Sequence, residues 1–447
     1  MSLVKPTHVS RKILNAAALV AAATVLAKCV AMAKEVVVAA AFGTGDAMDA
    51  YVIAFTIPAY LINVASGSLN VALIPTYIEI RDRQGKESAR NLLTSALLLN
   101  IGLLLALAGI LSFCAPTIFS WITSDFSSEK VNLSLQLFAV LLPCVLISGI
   151  SVTLEAVLNA DERFFGAGLA PAVIPIAIMA VVLCAAPEWG AYSLAIGTLF
   201  GYAIELIMVL VLIRRAGIPF SLRWPGVHPA LRTVLKQYLP AISGSSLMCS
   251  AIVIDQTMSA SLGSGNVSAL NYGNKLVAVL VGAVTVALGT AVLPFFSTLT
   301  AKKDWHTIRQ TLRHYVLLIL ATTIPATILF VYLSEPIVQL LYQRGAFSQA
   351  DTQLVSRIQA VLALQIPFHT LGILFVRLLS SMKLNYFMFL SNIVSVVLNI
   401  SLNFLFMHYW GIVGIALSTV VVYFAAAAFM GIVVHRKLAA FSREASI

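Results

Sequence analysis

The sequence predicts an all-α polytopic membrane protein, with about 12 transmembrane helices in two six-helix lobes. Composition is the first observation behind this prediction: 60% of the 447 residues are hydrophobic, 10% are charged, and the mean hydropathy is +0.96. A soluble domain carries about 25% charged residues because water wets its surface. Lipid is therefore expected to surround most of this chain.

The second observation is the length of the apolar runs. Many of them reach about 20 residues, the length a helix needs to cross roughly 30 Å of hydrocarbon, and they lack the alternating pattern of a barrel strand. The breaks between the runs give twelve spans: 13–42, 49–79, 91–121, 131–158, 164–186, 190–213, 230–262, 267–300, 307–333, 352–380, 384–407 and 410–435.

The third observation is the distribution of basic residues. The N-terminus, the C-terminus and the even-to-odd connections hold 21 of the 28 Lys and Arg residues. Positively charged loops stay on the cytoplasmic side, so both termini are predicted to be cytoplasmic. The net charge of +10 is thus explained by topology and by anionic lipid headgroups, and we expect no nucleic-acid partner.

Two lobes are predicted because the longest polar connection separates six spans from six. They cover residues 1–218 and 219–447. Gly43-Thr44-Gly45 recurs as Gly263-Ser264-Gly265 at an offset of 220 residues, and Leu142-Pro143 resembles Ile366-Pro367 at an offset of 224. An even number of spans in each lobe makes the repeats parallel, related by a pseudo-twofold axis along the membrane normal. Transporters of this type bind substrate between the repeats.

Ionisable residues inside the spans are the candidate functional residues, because a charge in hydrocarbon usually faces a cavity or a partner. The basic candidates are Lys28, Lys34 and Lys275. The acidic ones are Glu35, Glu155, Glu205 and Asp255, and Asp49 lies just inside the second span. Two interpretations stay open: a cationic cavity for an anionic headgroup, or structural pairs of Lys28 with Glu35 and of Lys275 with Asp255.

No pattern in the sequence indicates an enzyme, a cofactor or a metal centre. The seven histidines are scattered, without an HExxH or a GxSxG motif in its structural context. All five cysteines fall inside predicted spans, where they are expected to act as small packing residues.

Several segments resemble the MviN/MurJ family of lipid II flippases, within the multidrug, oligosaccharidyl-lipid and polysaccharide exporter superfamily. They are Phe42-Gly43-Thr44-Gly45-Asp46-Ala47-Met48-Asp49-Ala50-Tyr51, Ala72-Leu73-Ile74-Pro75, Asn266-Val267-Ser268-Ala269-Leu270-Asn271-Tyr272-Gly273-Asn274-Lys275-Leu276 and Leu341-Tyr342-Gln343-Arg344-Gly345-Ala346-Phe347-Ser348. The similarity extends over nearly the whole chain.

The resemblance implies a flippase in the bacterial inner membrane. Such a protein moves a polyprenyl-diphosphate-linked saccharide, here peptidoglycan precursor lipid II, to the outer leaflet by alternating access. It also implies that Lys28, Lys34 and Lys275 occupy the positions of family arginines that meet the diphosphate. Lysine keeps the charge but lacks the planar fork of arginine. Glu35, Asp49 and Asp255 are expected to balance charge or to couple transport to H⁺ or Na⁺.

Three alternatives stay open at this point. The first is a flippase for an exopolysaccharide or O-antigen repeat unit, which the Arg-to-Lys replacements favour. The second is a cation-coupled multidrug antiporter, whose cavity would be lined by Glu155, Glu205 and Asp255. The third is a membrane scaffold without transport, which would have a cavity filled by apolar side chains.

Overall fold

The computed structural model describes residues 8–123, 126–218, 224, 226 and 228–444, with the side chains of 8–24, 283–284, 286–291, 293–294 and 442–444 left aside. Within these ranges the chain is helical and contains no strand. The helices are α1 His8–Phe42, α2 Asp46–Leu61, α3 Ser68–Gln84, α4 Lys86–Ile122, α5 Ser128–Leu141, α6 Pro143–Ala160, α7 Phe164–Leu169, α8 Val173–Trp189, α9 Tyr192–Arg215, α10 Leu231–Ala260, α11 Asn266–Ala301, α12 Trp305–Tyr332, α13 Ser334–Tyr342, α14 Gln349–Ala363, α15 Gln365–Ser381, α16 Asn385–Trp410 and α17 Ile412–Glu444.

Ten stretches of the described chain are long and apolar enough to cross a membrane. They coincide with ten of the twelve predicted spans. The remaining two predicted spans correspond to α1 and α11, which are 35 and 36 residues long. Large apolar side chains lie exposed on the helices, including Phe113 at 87% and Leu183 at 70%. Side chains of this kind suit a lipid environment, so the predicted polytopic all-α class is confirmed.

Two predicted spans are interrupted at corresponding places. Leu142 separates α5 from α6, whose first residue is Pro143, and Leu364 separates α14 from α15, in which Pro367 is the third residue. Proline lacks an N–H donor and clashes with the preceding turn, so it fits best in the first turn of a helix. The Leu142-Pro143 and Ile366-Pro367 pairs thus mark helix breaks.

The chain forms two compact units. The first contains residues 1–42 and 46–249, and the second contains residues 43–45 and 250–447. The predicted lobes 1–218 and 219–447 follow the span count, whereas the compact units divide within α10. In the first unit the Tyr238 hydroxyl donates to the Ala65 carbonyl at 3.0 Å. Residues of α10 after Cys249 bond within the second unit. The pseudo-twofold axis stays a prediction.

Each unit has its own apolar core. The first core joins α3, α4, α6, α9 and α10 through fully buried residues such as Leu73, Leu92 and Val209. The second joins α11, α12, α15 and α17 through residues such as Phe296, Leu374 and Val434. Close packing of this kind keeps the polar side chains of each unit at fixed positions.

Three of the family-like segments meet in the second unit. The Thr44 hydroxyl donates to the Asp351 carboxylate, which also caps the start of α14 together with Ser348. Behind them, the buried rings of Tyr272, Tyr342 and Phe347 pack with centroids 5.3–5.7 Å apart. These sequence motifs are therefore explained by packing and capping.

Gly43 supplies the first prediction, because its backbone has a φ of +57°. A Cβ at this position would lie 2.6 Å from the Ala346 carbonyl oxygen. Gly43→Ala is expected to destabilise the protein by about 2–3 kcal/mol, since the left-handed backbone and the close approach both oppose a side chain. Thermal unfolding of the purified protein measures this loss.

Gly217→Ala is the matched control for Gly43→Ala. Gly217 also has a positive φ, +67°, yet nothing lies within 4 Å of a Cβ placed there. Its replacement should cost only the backbone term of about 1–2 kcal/mol. Equal losses for the two variants would mean that the approach of Ala346 to Gly43 is unimportant.

Candidate functional site

The predicted lysines lie on two helices. Lys34 and its neighbour Glu35 form an ion pair with Nζ and Oε1 2.7 Å apart, and their side chains are 17% and 6% exposed. Lys28, on the same helix, is exposed, and Lys275 is exposed on α11 in the second unit. Glu35 is thus paired with the adjacent lysine. The convergence of the three lysines on one cavity stays a prediction.

The second unit contains a buried polar cluster around Asp255, near the end of α10. Asn399 and Asn403 on α16 donate from Nδ2 to Asp255 Oδ1 at 3.0 and 2.7 Å. The Thr419 hydroxyl on α17 donates to Asp255 Oδ2 at 3.3 Å, and Ser418 donates to Asn403 Oδ1. The described hydrogen-bond partners of Asp255 are therefore neutral groups on two helices.

The chemistry of the Asp255 cluster suits a small hard cation. A buried carboxylate is costly unless a positive charge or a proton compensates it, and amide and hydroxyl donors share the charge without neutralising it. Asn399 is 2% exposed and its Oδ1 has no hydrogen-bond donor among the described residues. Carboxylate, amide and hydroxyl oxygens are the ligands that hard cations prefer.

Sequence reasoning found Asp255 but missed the polar residues around it. Asn399 and Asn403 are four residues apart, so they lie on one face of α16, inside a strongly apolar span. Polar side chains within a span usually face the bundle interior. The spacing of Asn399 and Asn403 was therefore a signal that the sequence offered. Ser418 and Thr419 complete the cluster from α17, and nothing in the sequence distinguishes them from other hydroxyl residues.

Asp49 lies in the first unit, at the start of α2, and is fully buried. The Lys130 ammonium lies 2.8 Å from Asp49 Oδ2 and 2.6 Å from Asp46 Oδ1, and Nζ sits 3.9 Å from the centre of the Phe126 ring. The pair explains why both charges tolerate burial. A role for Asp49 in tuning the charge around the predicted lysines stays a prediction.

Removing the Lys130 charge should strongly destabilise the first unit. Lys130→Met would leave Asp49 buried without its ion-pair partner, and breaking one side of a buried pair costs about 3–5 kcal/mol. Thermal unfolding measures the loss. Arg83→Met is the control, because Arg83 and Glu79 form an exposed pair at 2.8 Å that is worth about 0–1 kcal/mol. Similar losses in both variants would contradict the structural role of Lys130.

Glu155 on α6 and Glu205 on α9 form a second acidic site, in the first unit. Glu205 is 3% exposed, and its helix packs against the helix that carries Glu155. Glu155 Oε1 is buried without a hydrogen-bond donor among the described residues. Each unit therefore contains buried acidic groups, while Lys28 and Lys275 are exposed and Lys34 is half-buried beside Glu35.

Among the described residues, no three His, Cys, Asp or Glu side chains come together as a metal-binding group. The five cysteines are all free thiols.

Comparison with known proteins gives three findings. A family model described as "Lipid II flippase MurJ" matches residues 38–447. A probable lipid II flippase MurJ of Synechocystis sp. is 27% identical over 424 residues, covering 92% of this chain and 79% of the relative. A probable MurJ of Thermotoga maritima is 25% identical, covering 91% of this chain and 82% of the relative.

Solved structures share the fold. A lipid II flippase MurJ in an inward closed conformation superposes with a TM-score of 0.79 at 23% identity, covering 92% of this chain and 86% of that chain. An inward-facing multidrug transporter of the MATE family superposes with a TM-score of 0.76 at 15% identity, covering 93% and 95%. The fold is thus common to flippases and drug transporters, and the family is decided by the sequence match.

Proposed function

The chain belongs to the lipid II flippase MurJ family, and we propose that it moves lipid II from the cytoplasmic to the outer leaflet of the bacterial inner membrane. The observation that carries this proposal is the family match over residues 38–447. Transport proceeds by alternating access of the two lobes, without a covalent step. Both termini lie in the cytoplasm, as the bias of basic residues supports.

The proposed substrate contacts are Lys28, Lys34 and Lys275. A diphosphate that leaves water must exchange its hydration for fixed cations, because an unpaired anion in an apolar medium is strongly disfavoured. Lysine supplies charge with flexible geometry. Glu35 offsets part of the charge of Lys34, since the two groups are 2.7 Å apart, so Lys28 and Lys275 are expected to contribute more to binding.

The proposed coupling site is Asp255 with Asn399, Asn403 and Thr419. Na⁺ or H⁺ bound there would neutralise the carboxylate, and release of the cation would leave a buried charge that favours rearrangement of α10, α16 and α17. A ligand drives a conformational equilibrium only through different affinities for the two states. The buried Asp255 carboxylate and the Asn399 Oδ1, which accepts no hydrogen bond from the described residues, are the oxygen atoms that support this role.

The test is transport by the purified protein in proteoliposomes that contain labelled lipid II in one leaflet. The protein is expected to accelerate the appearance of label in the other leaflet relative to protein-free vesicles. The same vesicles with a lipid-linked O-antigen or exopolysaccharide unit provide the comparison. The family match favours lipid II as the faster substrate. Faster movement of the O-antigen or exopolysaccharide unit would overturn the proposal.

A further inference from the structure

A groove of about 480 Å³ lies between α15 and α17 in the second unit, a volume within the range of small-molecule sites. On α17 its wall contains Phe424, Ala428 and Gly431, spaced at three to four residues on one helix face. On α15 it contains Phe368 and Phe375. Except for His435 and Arg436 at one end, all of its lining residues are apolar.

Small residues create the groove and aromatic rings bound it. A Cβ at Gly431 would lie 3.3 Å from the Phe375 ring, so a larger side chain there would fill the space. At the other end, the rings of Phe368 and Phe424 meet edge to face with centroids 5.1 Å apart. The shape of the groove is therefore determined by these side chains of α15 and α17.

The length of the groove indicates what kind of molecule fits in it. From Phe424 to Arg436 the helix rises about 18 Å, which is close to half the roughly 30 Å of hydrocarbon and hence the depth of one leaflet. An acyl chain that runs from a headgroup at the membrane surface reaches about this depth. The walls of the groove along this length are apolar and include Phe368, Phe375 and Phe424. The groove therefore suits an acyl chain whose headgroup lies at the Arg436 end.

The basic residues at one end of the groove favour a lipid with an anionic headgroup. His435 and Arg436 are exposed, and no acidic residue is among the lining residues. The guanidinium of arginine matches phosphate oxygens with two parallel hydrogen bonds. The Lys437 ammonium lies nearby on α17, over the Phe387 ring at 5.5 Å. Anionic lipids are attracted to basic clusters placed where a span leaves the membrane.

We propose that the groove between α15 and α17 binds an anionic phospholipid, with one acyl chain along the groove and its phosphate at Arg436. This inference goes beyond the proposed transport activity, because it concerns a lipid that the protein holds and does not move. A zwitterionic lipid with the same chains should bind more weakly, since its headgroup carries no net charge.

The experiment is native mass spectrometry of the purified full chain, delipidated and then mixed with phosphatidylglycerol or phosphatidylcholine of identical acyl chains. Wild type is expected to retain phosphatidylglycerol in preference to phosphatidylcholine. Arg436→Gln should lower the retention of phosphatidylglycerol about fivefold, the effect of one basic residue at an anionic lipid surface. Arg309→Gln, an exposed basic residue on α12, is the control and should change nothing.

Blocking the groove tests the acyl-chain part of the proposal. Ala428→Trp should abolish retention of both lipids, whereas Ala106→Trp, at an exposed alanine of α4, should leave it intact. If Ala428→Trp fails to fold, Arg436→Gln and Arg436→Lys decide, because lysine should restore most of the binding. Retention unaffected by Arg436→Gln would overturn the proposal. So would displacement of phosphatidylglycerol from wild type by an equal concentration of a polyprenyl diphosphate.

Discussion

Replacing Lys275 by Gln is expected to abolish lipid II transport while leaving membrane insertion and folding intact. Glutamine keeps a polar side chain that is one atom shorter but removes the charge that compensates the diphosphate outside water. Lys275 is exposed on α11, so its loss should not open a cavity. Lys28→Gln should have the same effect. Transport in proteoliposomes, with the thermal unfolding midpoint as a folding check, measures both.

Two kinds of variant separate charge from structure in this prediction. Lys275→Arg and Lys28→Arg should retain much of the transport, because arginine supplies the charge and binds phosphate in a two-pronged geometry. Lys302→Gln, an exposed basic residue beyond the end of α11, should be nearly neutral. If Lys28→Gln and Lys275→Gln both transported lipid II normally, the cationic binding mechanism would be wrong.

The fold class could be predicted because hydrocarbon imposes a simple constraint. Runs of about 20 apolar residues must be helices. The breaks at Leu142 and Leu364 were not predicted, because both lie inside apolar runs that were read as continuous spans. The boundary of the compact units could not be predicted. It lies within α10, whose first part bonds to the first unit through Tyr238, and no change in composition marks that point.

The candidate site was less predictable. A charged residue inside a span indicates that a polar partner exists, but the sequence does not show which residue that partner is. Asp255 was found, but its donors Asn399 and Thr419 come from helices about 150 residues away in sequence. Glu35 lay seven residues from Lys28, on the same helix face, yet it pairs with Lys34 beside it. The four methylene groups of lysine let its ammonium reach around a helix, so an idealised helix face is a poor guide to lysine pairs.

The second prediction with a large effect concerns cation binding at Asp255. Among the described residues, side-chain hydrogen bonds to the Asp255 carboxylate join α10 to α16 and α17. If Na⁺ binds there in the folded state, stability must rise with its concentration. Sodium at 100 times its dissociation constant would stabilise the protein by about 2.7 kcal/mol. Proton binding would instead make stability depend on pH in the absence of sodium.

Asp255→Asn is expected to remove this cation dependence and the coupling of transport to it. The amide is nearly isosteric with the carboxylate, so the contacts with Asn399 and Asn403 can be kept by reorientation while the charge is lost. The measurement is the unfolding midpoint in NaCl against choline chloride at fixed ionic strength, repeated across pH, alongside transport under the same conditions. Asp82→Asn, at a carboxylate 61% exposed, is the control and should behave as wild type. Two outcomes would rule out Asp255 as the coupling residue. In the first, wild-type stability and transport respond to neither Na⁺ nor pH; in the second, the responses persist in Asp255→Asn. Asp255 would then have only a structural role, joining α10, α16 and α17 by hydrogen bonds.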